Sequence, residues 1–336
     1  MVKITFKDVG QGDSILLRWT VSKKEYIGII DCNLKGSRNP VLDEIRNLSI
    51  QRIDFIILSH FHVDHFSGMP ELFQYCLDNK IKIAKFYHTL QTQYLKIFSE
   101  ILISQRNQKV GERFLSLFNH LIKSGIIEDV EHATVGLRPI TLTNKYQLEF
   151  LSPNGKDHVS FAEKQAKYLT GKTATIPDFN NLSTIIKITN AKKAAILTAD
   201  TTNSQLKRLK GKISETVSCV QVPHHGSQNN HCPQLWKSLT RNSPCRAVFS
   251  VGDEKRDKLP KRAVVEYFDL NGYQVESTDC VHGISEHYGI LGFTTSSIAK
   301  ANSIALSSFS RLRESALIRA STIPPRLKGD KSHIMK

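Results

Sequence analysis

Three histidines and one aspartate fall within six residues, in the segment His60-Phe-His-Val-Asp-His65. The segment follows a strongly apolar stretch at residues 53–58 and precedes Pro70, a residue typical of the first turn of a helix. A loop between a buried strand and a helix can direct several side chains to one point. Imidazole nitrogen and carboxylate oxygen are ligands that suit Zn²⁺, Mn²⁺ or Fe²⁺. The segment therefore predicts a metal site and a fold that encloses it.

The rest of the chain has the patterns of a layered α/β protein. Short alternating or apolar runs predict strands, which we place at residues 2–6, 14–19, 26–30, 53–58, 148–151, 183–188, 194–198, 217–222 and 247–251. The first three predict an antiparallel meander. Helices are predicted at residues 70–77, 203–209, 233–239 and 262–271. Two groups of strands with helices between and outside them indicate an α/β sandwich, in which two mixed sheets pack face to face between helices.

Helical spacing dominates residues 91–124, with apolar positions such as Leu95, Phe98, Phe114 and Leu121. Gly111 separates the two halves, which predicts a helical hairpin inserted into the β-rich frame. Such an insertion would act as a lid over a small ligand or as a dimer contact.

The composition favours an anionic partner. With 336 residues and 40% apolar content the chain can form a packed interior, which excludes a disordered acidic tail or a collagen-like fibre. Its 46 Lys and Arg against 31 Asp and Glu give a net charge of +15, which favours nucleic acid or a phosphate-bearing substrate. Residues 296–336 carry +6 of this charge. We therefore separate a body at 1–295 from a basic tail, which is either an arm for nucleic acid or a partner, or a solubilising end. Residues 302–320 could form a helix in a complex, so contacts between two copies of the chain are a further alternative.

The six cysteines show neither the Cys-x-x-Cys spacing of a zinc site nor the pattern of a disulfide framework. The chain start has no signal-peptide core, and no run approaches the ~18 apolar residues of a membrane span. We expect a cytoplasmic protein with reduced thiols and no membrane partner.

The spacing His-x-His-x-Asp-His resembles the signature of the metallo-β-lactamase superfamily. Further segments resemble the branch that includes the cytosolic hydrolase domain of ComEC, the DNA-uptake channel protein. They are Lys7-Asp-Val-Gly-Gln-Gly-Asp-Ser-Ile-Leu16, Ile29-Ile-Asp-Cys32, Asn180-Asn-Leu-Ser183, Leu197-Thr-Ala-Asp-Thr201, Val222-Pro-His-His-Gly-Ser227 and Ser277-Thr-Asp-Cys-Val-His-Gly283. The resemblance spans roughly residues 1–290 and implies an αββα sandwich.

The resemblance also implies a dinuclear site for two divalent ions, Zn²⁺ or Mn²⁺. In that family the first two histidines of the motif bind one ion and the Asp-His pair binds the other, which here gives His60 and His62 for one, and Asp64 and His65 for the other. Asp200 would bridge both ions. The family's further histidine has no clear counterpart near Leu151-Ser-Pro-Asn-Gly155, so we consider His158, with His88, His120 and His132 as alternatives. Leu259-Pro260 stands where the branch tends to have His-Pro.

His224 and His225 compete for the remaining ligand position. We favour His224 as the ligand and expect His225 to donate to a substrate phosphate or to carry a proton. Asp13 and Asp31 are candidates to hold the imidazole rings, although Asp13 may equally cap its Gly-Gln-Gly turn; Ser227 and Asn181 are further candidates for the second shell or for substrate contact. The glycines at 10 and 12 would allow close approach of the metal loop or of a phosphate, or simply form a turn.

Two ions ~3.5–4 Å apart can share a hydroxide and stabilise both the attacking and the leaving oxygen, which predicts a hydrolase with Asp64 and His225 as catalytic groups. Our first hypothesis is a nuclease or phosphodiesterase that acts on DNA in defence or DNA processing, with a protein partner left open. The alternatives are hydrolysis of a small cyclic nucleotide, and a metal-stabilised binding module for nucleic acid or protein without its own activity.

Overall fold

The computed structural model describes residues 2–90, 105–252, 259–279 and 290–294. Residues 91–104 of the predicted insertion at 91–124, the tail at 296–336 and its helix at 302–320 lie outside these ranges. The division into a hydrolase body and a basic tail therefore stays a prediction.

Sixteen strands lie in the described ranges, and apolar alternation predicted most of them. In chain order they are β1 Val2–Lys7, β2 Ile15–Val21, β3 Lys24–Ile30, β4 Arg52–Ile53, β5 Phe55–Ile57, β6 Lys82–Ile83, β7 Phe86–His88, β8 Val130–His132, β9 Ile140–Thr141, β10 Gln147–Ser152, β11 Ile185–Thr189, β12 Lys193–Leu197, β13 Thr216–Gln221, β14 Arg241–Phe249, β15 Tyr273–Ser277 and β16 Ile290–Thr294. The short strands β6 to β9 and strands β15 and β16 were not predicted.

Two seven-stranded mixed sheets form the frame. The first has the order β16-β1-β2-β3-β5-β7-β8, and the second has the order β15-β14-β13-β12-β11-β10-β9. Strands β1 to β3 pair antiparallel, which confirms the opening meander, and β3, β5, β7 and β8 run parallel. In the second sheet β12 to β15 are parallel.

The sheets pack face to face, and helices cover their outer faces. Leu17 and Ile30 of the first sheet share one core cluster with Ile186 and Leu197 of the second. Leu16, the neighbour of Leu17, belongs instead to the cluster under the helices, because successive strand residues point to opposite faces. The predicted α/β fold of two packed mixed sheets flanked by helices is confirmed.

The helices are α1 Pro40–Leu48, α2 Val63–Phe66, α3 Met69–Asp78, α4 Gln105–Lys123, α5 Gly155–Leu169, α6 Asn203–Lys207, α7 Pro233–Ser238 and α8 Arg262–Leu270. Helices α3, α6, α7 and α8 match predictions. Helices α1 and α5 were not predicted. No helix within the described ranges is long and apolar enough to cross a membrane. Of the six cysteines, the five at described positions are buried and unpaired.

Helix α4 corrects one detail of the predicted hairpin. Gly111 lies inside the helix rather than between two halves. A glycine inside a helix costs roughly 1 kcal/mol relative to alanine, but burial of the apolar face of α4 outweighs this cost. Phe114 and Phe118 stack on each other with ring centroids 5.7 Å apart and pack on Phe73 of α3 and on Phe86 of β7. Helix α4 is therefore part of the outer core layer and not a lid.

Candidate metal centre

The candidate site lies where parallel strands of both sheets end. Asp31 follows β3, and the motif at residues 60–65 follows β5. From the second sheet, Asp200 follows β12, while the pair His224–His225 follows β13. The carboxyl ends of parallel strands commonly form the binding crevice of an α/β protein. The two sheets thus each contribute one half of the site.

The motif loop brings its four polar side chains to this edge. Helix α2 starts directly after His62, so that Asp64 and His65 extend from its first turn. The carbonyl of Asp64 accepts a hydrogen bond from the Asp13 amide at 3.1 Å. Gly12 has φ +129°, and a Cβ atom there would collide with the Asp64 carbonyl and with Asn33. The absence of a side chain at Gly12 therefore allows the metal loop to approach closely. This is one of the roles that we considered for the glycines at 10 and 12.

Asp200 lies at the centre of the site, with each carboxylate oxygen facing different imidazoles. Its Oδ1 is 3.5 Å from His65 Nε2 and 3.4 Å from His225 Nε2. Its Oδ2 is 3.8 Å from His60 Nε2 and 3.6 Å from His224 Nε2. Asp200 can therefore connect two neighbouring ligand groups.

Two groups of metal-ligating side chains share Asp200. The first contains His60, His62 and Asp200, and the second contains Asp64, His65, Asp200 and His225; in each group the candidate ligand atoms lie within 4.8 Å of one another. A third group joins Asp13, Asp31 and His65. Because hydrogen bonds to Ser59 and Gln221 already engage the carboxylates of Asp31 and Asp13, this third group is an outer layer around His65.

The turn at residues 223–226 aims both remaining histidines at Asp200. His224 and His225 have φ values of 49° and 53°, a left-handed conformation that is uncommon for residues other than glycine. Their backbones therefore reverse direction within two residues, and both Nε2 atoms face the Asp200 carboxylate. Gly226 continues the left-handed turn, and a Cβ atom at this position would meet Pro260 Cβ at 2.6 Å. Leu259-Pro260 thus packs against the turn.

Hydrogen bonds on the far side of each ring define which nitrogen faces the site. His225 Nδ1 donates to the carbonyl of Ser250 at 2.8 Å, and His65 Nδ1 lies 2.7 Å from Asp31 Oδ2. For His224, the partner is Asn230 Oδ1 at 3.0 Å. The Asn230 amide donates to the carbonyls of Asp200 and Thr201, so its Oδ1 is the acceptor. Each Nδ1 carries the proton, which leaves each Nε2 lone pair available to a metal ion.

Charge is concentrated in a buried space. Burial disfavours the Asp200 carboxylate, but His225, His65 and His224 outweigh it and hold the pKa of Asp200 well below its ordinary value. Burial likewise opposes a charge on His65, whereas Asp200 and Asp31 raise the pKa of His65 well above its ordinary value. Burial and neighbouring imidazoles lower the pKa of His60. A divalent cation would compensate the carboxylates and leave the imidazoles neutral.

The donor set fits metal ions. His65 Nε2, His225 Nε2 and Asp200 Oδ1 are buried, and none has a hydrogen-bond partner among the described residues. Buried polar atoms without partners are rare and costly, so three that converge on one space require a ligand.

The other predicted site residues have varied positions. Asp13 accepts a hydrogen bond from Gln221 Nε2 at 2.8 Å and lies 3.7 Å from His65 Nδ1, which places it beside a candidate ligand. Asn181 bonds to the carbonyl of Asp178, and the Ser227 amide donates to the His224 carbonyl. His158 is in neither group around Asp200. Its ring lies 4.3 Å from that of His132.

Sequence reasoning missed three amide side chains. Gln221 Oε1 accepts hydrogen bonds from the amides of Thr198 and Ala199, just before Asp200, while its Nε2 donates to Asp13 in the loop before β2 of the first sheet. Asn230 orients His224, and Asn180 Nδ2 lies 3.5 Å from the same His224 Nδ1. Asn180 belongs to a segment that we singled out, whereas nothing local marks Gln221 or Asn230.

The sequence profile of the metallo-β-lactamase superfamily matches residues 8–138. Comparison with curated proteins gave no significant match. Similar solved structures include the metallo-β-lactamase fold protein YhfI from Bacillus subtilis, at 12% identity over 82% of this chain and 96% of that one, with a TM-score of 0.44. A diphosphatase from the PhnP family has 13% identity over 87% and 98% of the two chains and a TM-score of 0.41. Zn²⁺-bound PqqB from Methylobacterium extorquens has 10% identity over 88% and 100% and a TM-score of 0.46.

The chain has the α/β metallo-β-lactamase fold. Residues 8–138 match the profile of the metallo-β-lactamase superfamily, and the two packed mixed sheets agree with the fold of that superfamily. Proteins of this superfamily are generally metal-dependent hydrolases, and the two groups around Asp200 offer the ligand atoms for such chemistry. The likeness to the ComEC branch stays a prediction.

Proposed function

We propose that the protein is a dinuclear metal-dependent phosphodiesterase that cleaves DNA. The observation that carries the proposal is the position of Asp200, whose two oxygens face two groups of candidate ligands. A single carboxylate between two imidazole-rich groups is the arrangement that two neighbouring divalent ions need. Zn²⁺ and Mn²⁺ both suit this donor set.

We assign His60, His62, His224 and Asp200 to one ion, and Asp64, His65, His225 and Asp200 to the other. This assignment supplies His224 as the third imidazole of the first ion, the place for which we had considered His158. It also makes His225 a ligand rather than a proton carrier: Nδ1 donates to the Ser250 carbonyl, so a metal ion at Nε2 would occupy the only free lone pair of the ring.

Bound divalent ions lower the pKa of water and stabilise the negative charge that develops on a phosphoryl oxygen. The protein's own residues hold the ligands in place. Asp31, itself bonded to the amide and hydroxyl of Ser59, holds His65, while Asn230 holds His224. Such outer partners commonly change metal affinity by about 10–100-fold when they are removed.

One side of the site is open to substrate. The side chains of His62, Asp64 and His224 are 35%, 37% and 28% exposed, whereas those of His60, His65 and Asp200 are at most 2% exposed. Substrate therefore approaches over His62, Asp64 and His224. Asp64 is the carboxylate on this open side and can orient the attacking water.

Charge near the open side favours a polyanion. Phe179 contacts the His62 ring at a centroid distance of 5.8 Å and packs on Phe161 of α5 at 5.3 Å. The same helix carries the exposed residues Lys156, Lys164 and Lys167, which form no ion pair with any residue in the described ranges. Unpaired lysines along a helix that borders the site would attract a phosphate backbone.

A cleavage assay tests the substrate. Protein reconstituted with Mn²⁺ or Zn²⁺ would be offered labelled duplex DNA, single-stranded DNA, RNA and cyclic nucleotides, beside an Asp64→Ala/His65→Ala control. We expect DNA cleavage that the control lacks and that falls as salt rises, because lysine contacts to phosphates weaken with salt. Cleavage of cyclic nucleotides alone would overturn the assignment of a polymer substrate. Binding of DNA without cleavage would identify a binding module instead.

Separate substitution of the paired histidines tests the ligand assignment. Because each Nε2 faces a different oxygen of Asp200, His224→Ala and His225→Ala should each lower the metal content of reconstituted protein by up to one ion per chain, measured by mass spectrometry of the metal. Exposed His120 on α4 provides the control, and His120→Ala should leave the content unchanged. Full metal content in His224→Ala would remove His224 from the first site.

A further inference from the structure

Three other histidines meet beside the parallel strands of the first sheet. His88 ends β7 and pairs in register with His132, which ends β8. His158 comes from the first turns of α5 and packs on His132. None of these residues belongs to the groups around Asp200. Above, each was considered only as a single candidate ligand.

Two distances between these rings are close to those in the metal centre. The centroids of His132 and His158 are 4.3 Å apart, and those of His88 and His132 are 6.2 Å apart. Among rings that we assign to a common ion around Asp200, the centroids of His60 and His62 are 4.7 Å apart and those of His65 and His225 are 5.7 Å apart. The candidate ligand atoms of His88, His132 and His158 do not all lie within 4.8 Å of one another, so an ion would require these side chains to rotate toward it.

Each imidazole offers a nitrogen without an established partner. His88 Nδ1 and His158 Nε2 are buried and make no hydrogen bond with any described residue. His132 Nε2 donates to the carbonyl of Thr89 at 2.9 Å, so its Nδ1 is the unprotonated nitrogen. The buried hydroxyl of Thr89 likewise has no partner in the described ranges.

Neutral imidazoles favour a cation over an anion as the occupant. Burial, together with the neighbouring His132 ring, lowers the pKa of both His88 and His158 to about 4. Neutral rings present lone pairs, which bind metal ions, whereas an anion would require protonated rings.

We propose that His88, His132 and His158 form a second metal-binding site, separate from the centre around Asp200, for a divalent transition-metal ion of the Zn²⁺ class. Three imidazoles are a known ligand set for such ions. The ion would connect β7, β8 and α5. Phe61 packs on the His88 ring at 6.2 Å, which places this junction next to the motif loop.

Metal counting tests the site without reference to activity. Protein stripped with chelator and reconstituted with Zn²⁺ should lose one ion per chain in His132→Ala/His158→Ala relative to the unsubstituted chain. The loss should add to that of Asp64→Ala/His65→Ala, because the two sites are separate. Equal zinc content with and without the His132 and His158 substitutions would overturn the proposal.

A second measurement tests the site without the His132→Ala/His158→Ala variant, which could fail to fold. Titration of Co²⁺ into Asp64→Ala/His65→Ala protein should give the visible absorption of a nitrogen-bound ion and should raise Tm, since an ion that binds only the folded state stabilises it. Added to this background, His158→Ala, at a partly buried position on α5, should remove one bound Co²⁺ per chain and lower both effects, whereas His120→Ala should leave them unchanged; the group of His60, His62, His224 and Asp200 is intact in both proteins. An unchanged spectrum and Tm in the His158→Ala protein would likewise overturn the site.

Discussion

Asp200→Asn should abolish hydrolysis and remove metal from the protein. The substitution keeps the size of the side chain but removes a negative charge that faces His60, His65, His224 and His225. Removal of one group from a catalytic unit typically lowers kcat on the order of 10⁴-fold. Because Asp200 is shared between both ligand groups, we expect the metal content around it to fall by more than one ion per chain.

Two measurements test this prediction. Metal content is counted after reconstitution, and cleavage is followed on the polymer that the unsubstituted protein degrades. Asp269→Asn, on the exposed surface of α8, makes the same change of charge away from the site and should leave both quantities unchanged. Retention of both ions by Asp200→Asn would show that Asp200 does not connect the two groups.

Phe114→Ala should have the largest effect on stability. Phe114 is fully buried, and its ring contacts those of Phe61, Phe66, Phe73, Phe86 and Phe118. Truncation of a buried phenylalanine costs about 3–5 kcal/mol, because transfer energy is lost and a cavity remains. Urea unfolding followed by circular dichroism should show this decrease in the free energy of unfolding.

Ile122 on the same helix supplies the control for Phe114. It is 39% exposed, so Ile122→Ala should cost less than about 1 kcal/mol. Similar costs for both substitutions would mean that α4 does not belong to the core, and would restore the interpretation of this segment as a detachable lid.

The strands were predictable because alternation and apolar runs report burial directly. Helix α5 was not predictable in this way, because its hydrophobic pattern is weak. Of its fifteen residues only Phe161 and Gln165 are buried. Its start did carry a signal, since Asn154 and Asp157 form a capping box. Helix α1 likewise begins with Asn39 as a cap and Pro40. The cap residues therefore mark the starts of both helices in the sequence.

Part of the candidate site was predictable because its residues are neighbours in the sequence. The motif at 60–65 is compact in sequence, so its chemistry is visible before its geometry is known. Gln221 and Asn230 act on Asp13 and His224 through contacts that only the packed sheets and the folded turn create. The choice between His224 and His225 also depended on a left-handed turn, which dihedral angles reveal and residue types do not.

Gln221 joins the two sheets at the point where their halves of the site meet. The first sheet supplies the motif at 60–65, and the second supplies Asp200 and the histidine pair, so neither sheet alone holds a complete ligand group. The superfamily match, which ends at residue 138, covers only the first half. Tight binding of metal ions around Asp200 would therefore indicate that the two sheets have packed together. Ions bound there would stabilise the assembled sandwich, because both groups around Asp200 are complete only when the two sheets have packed together.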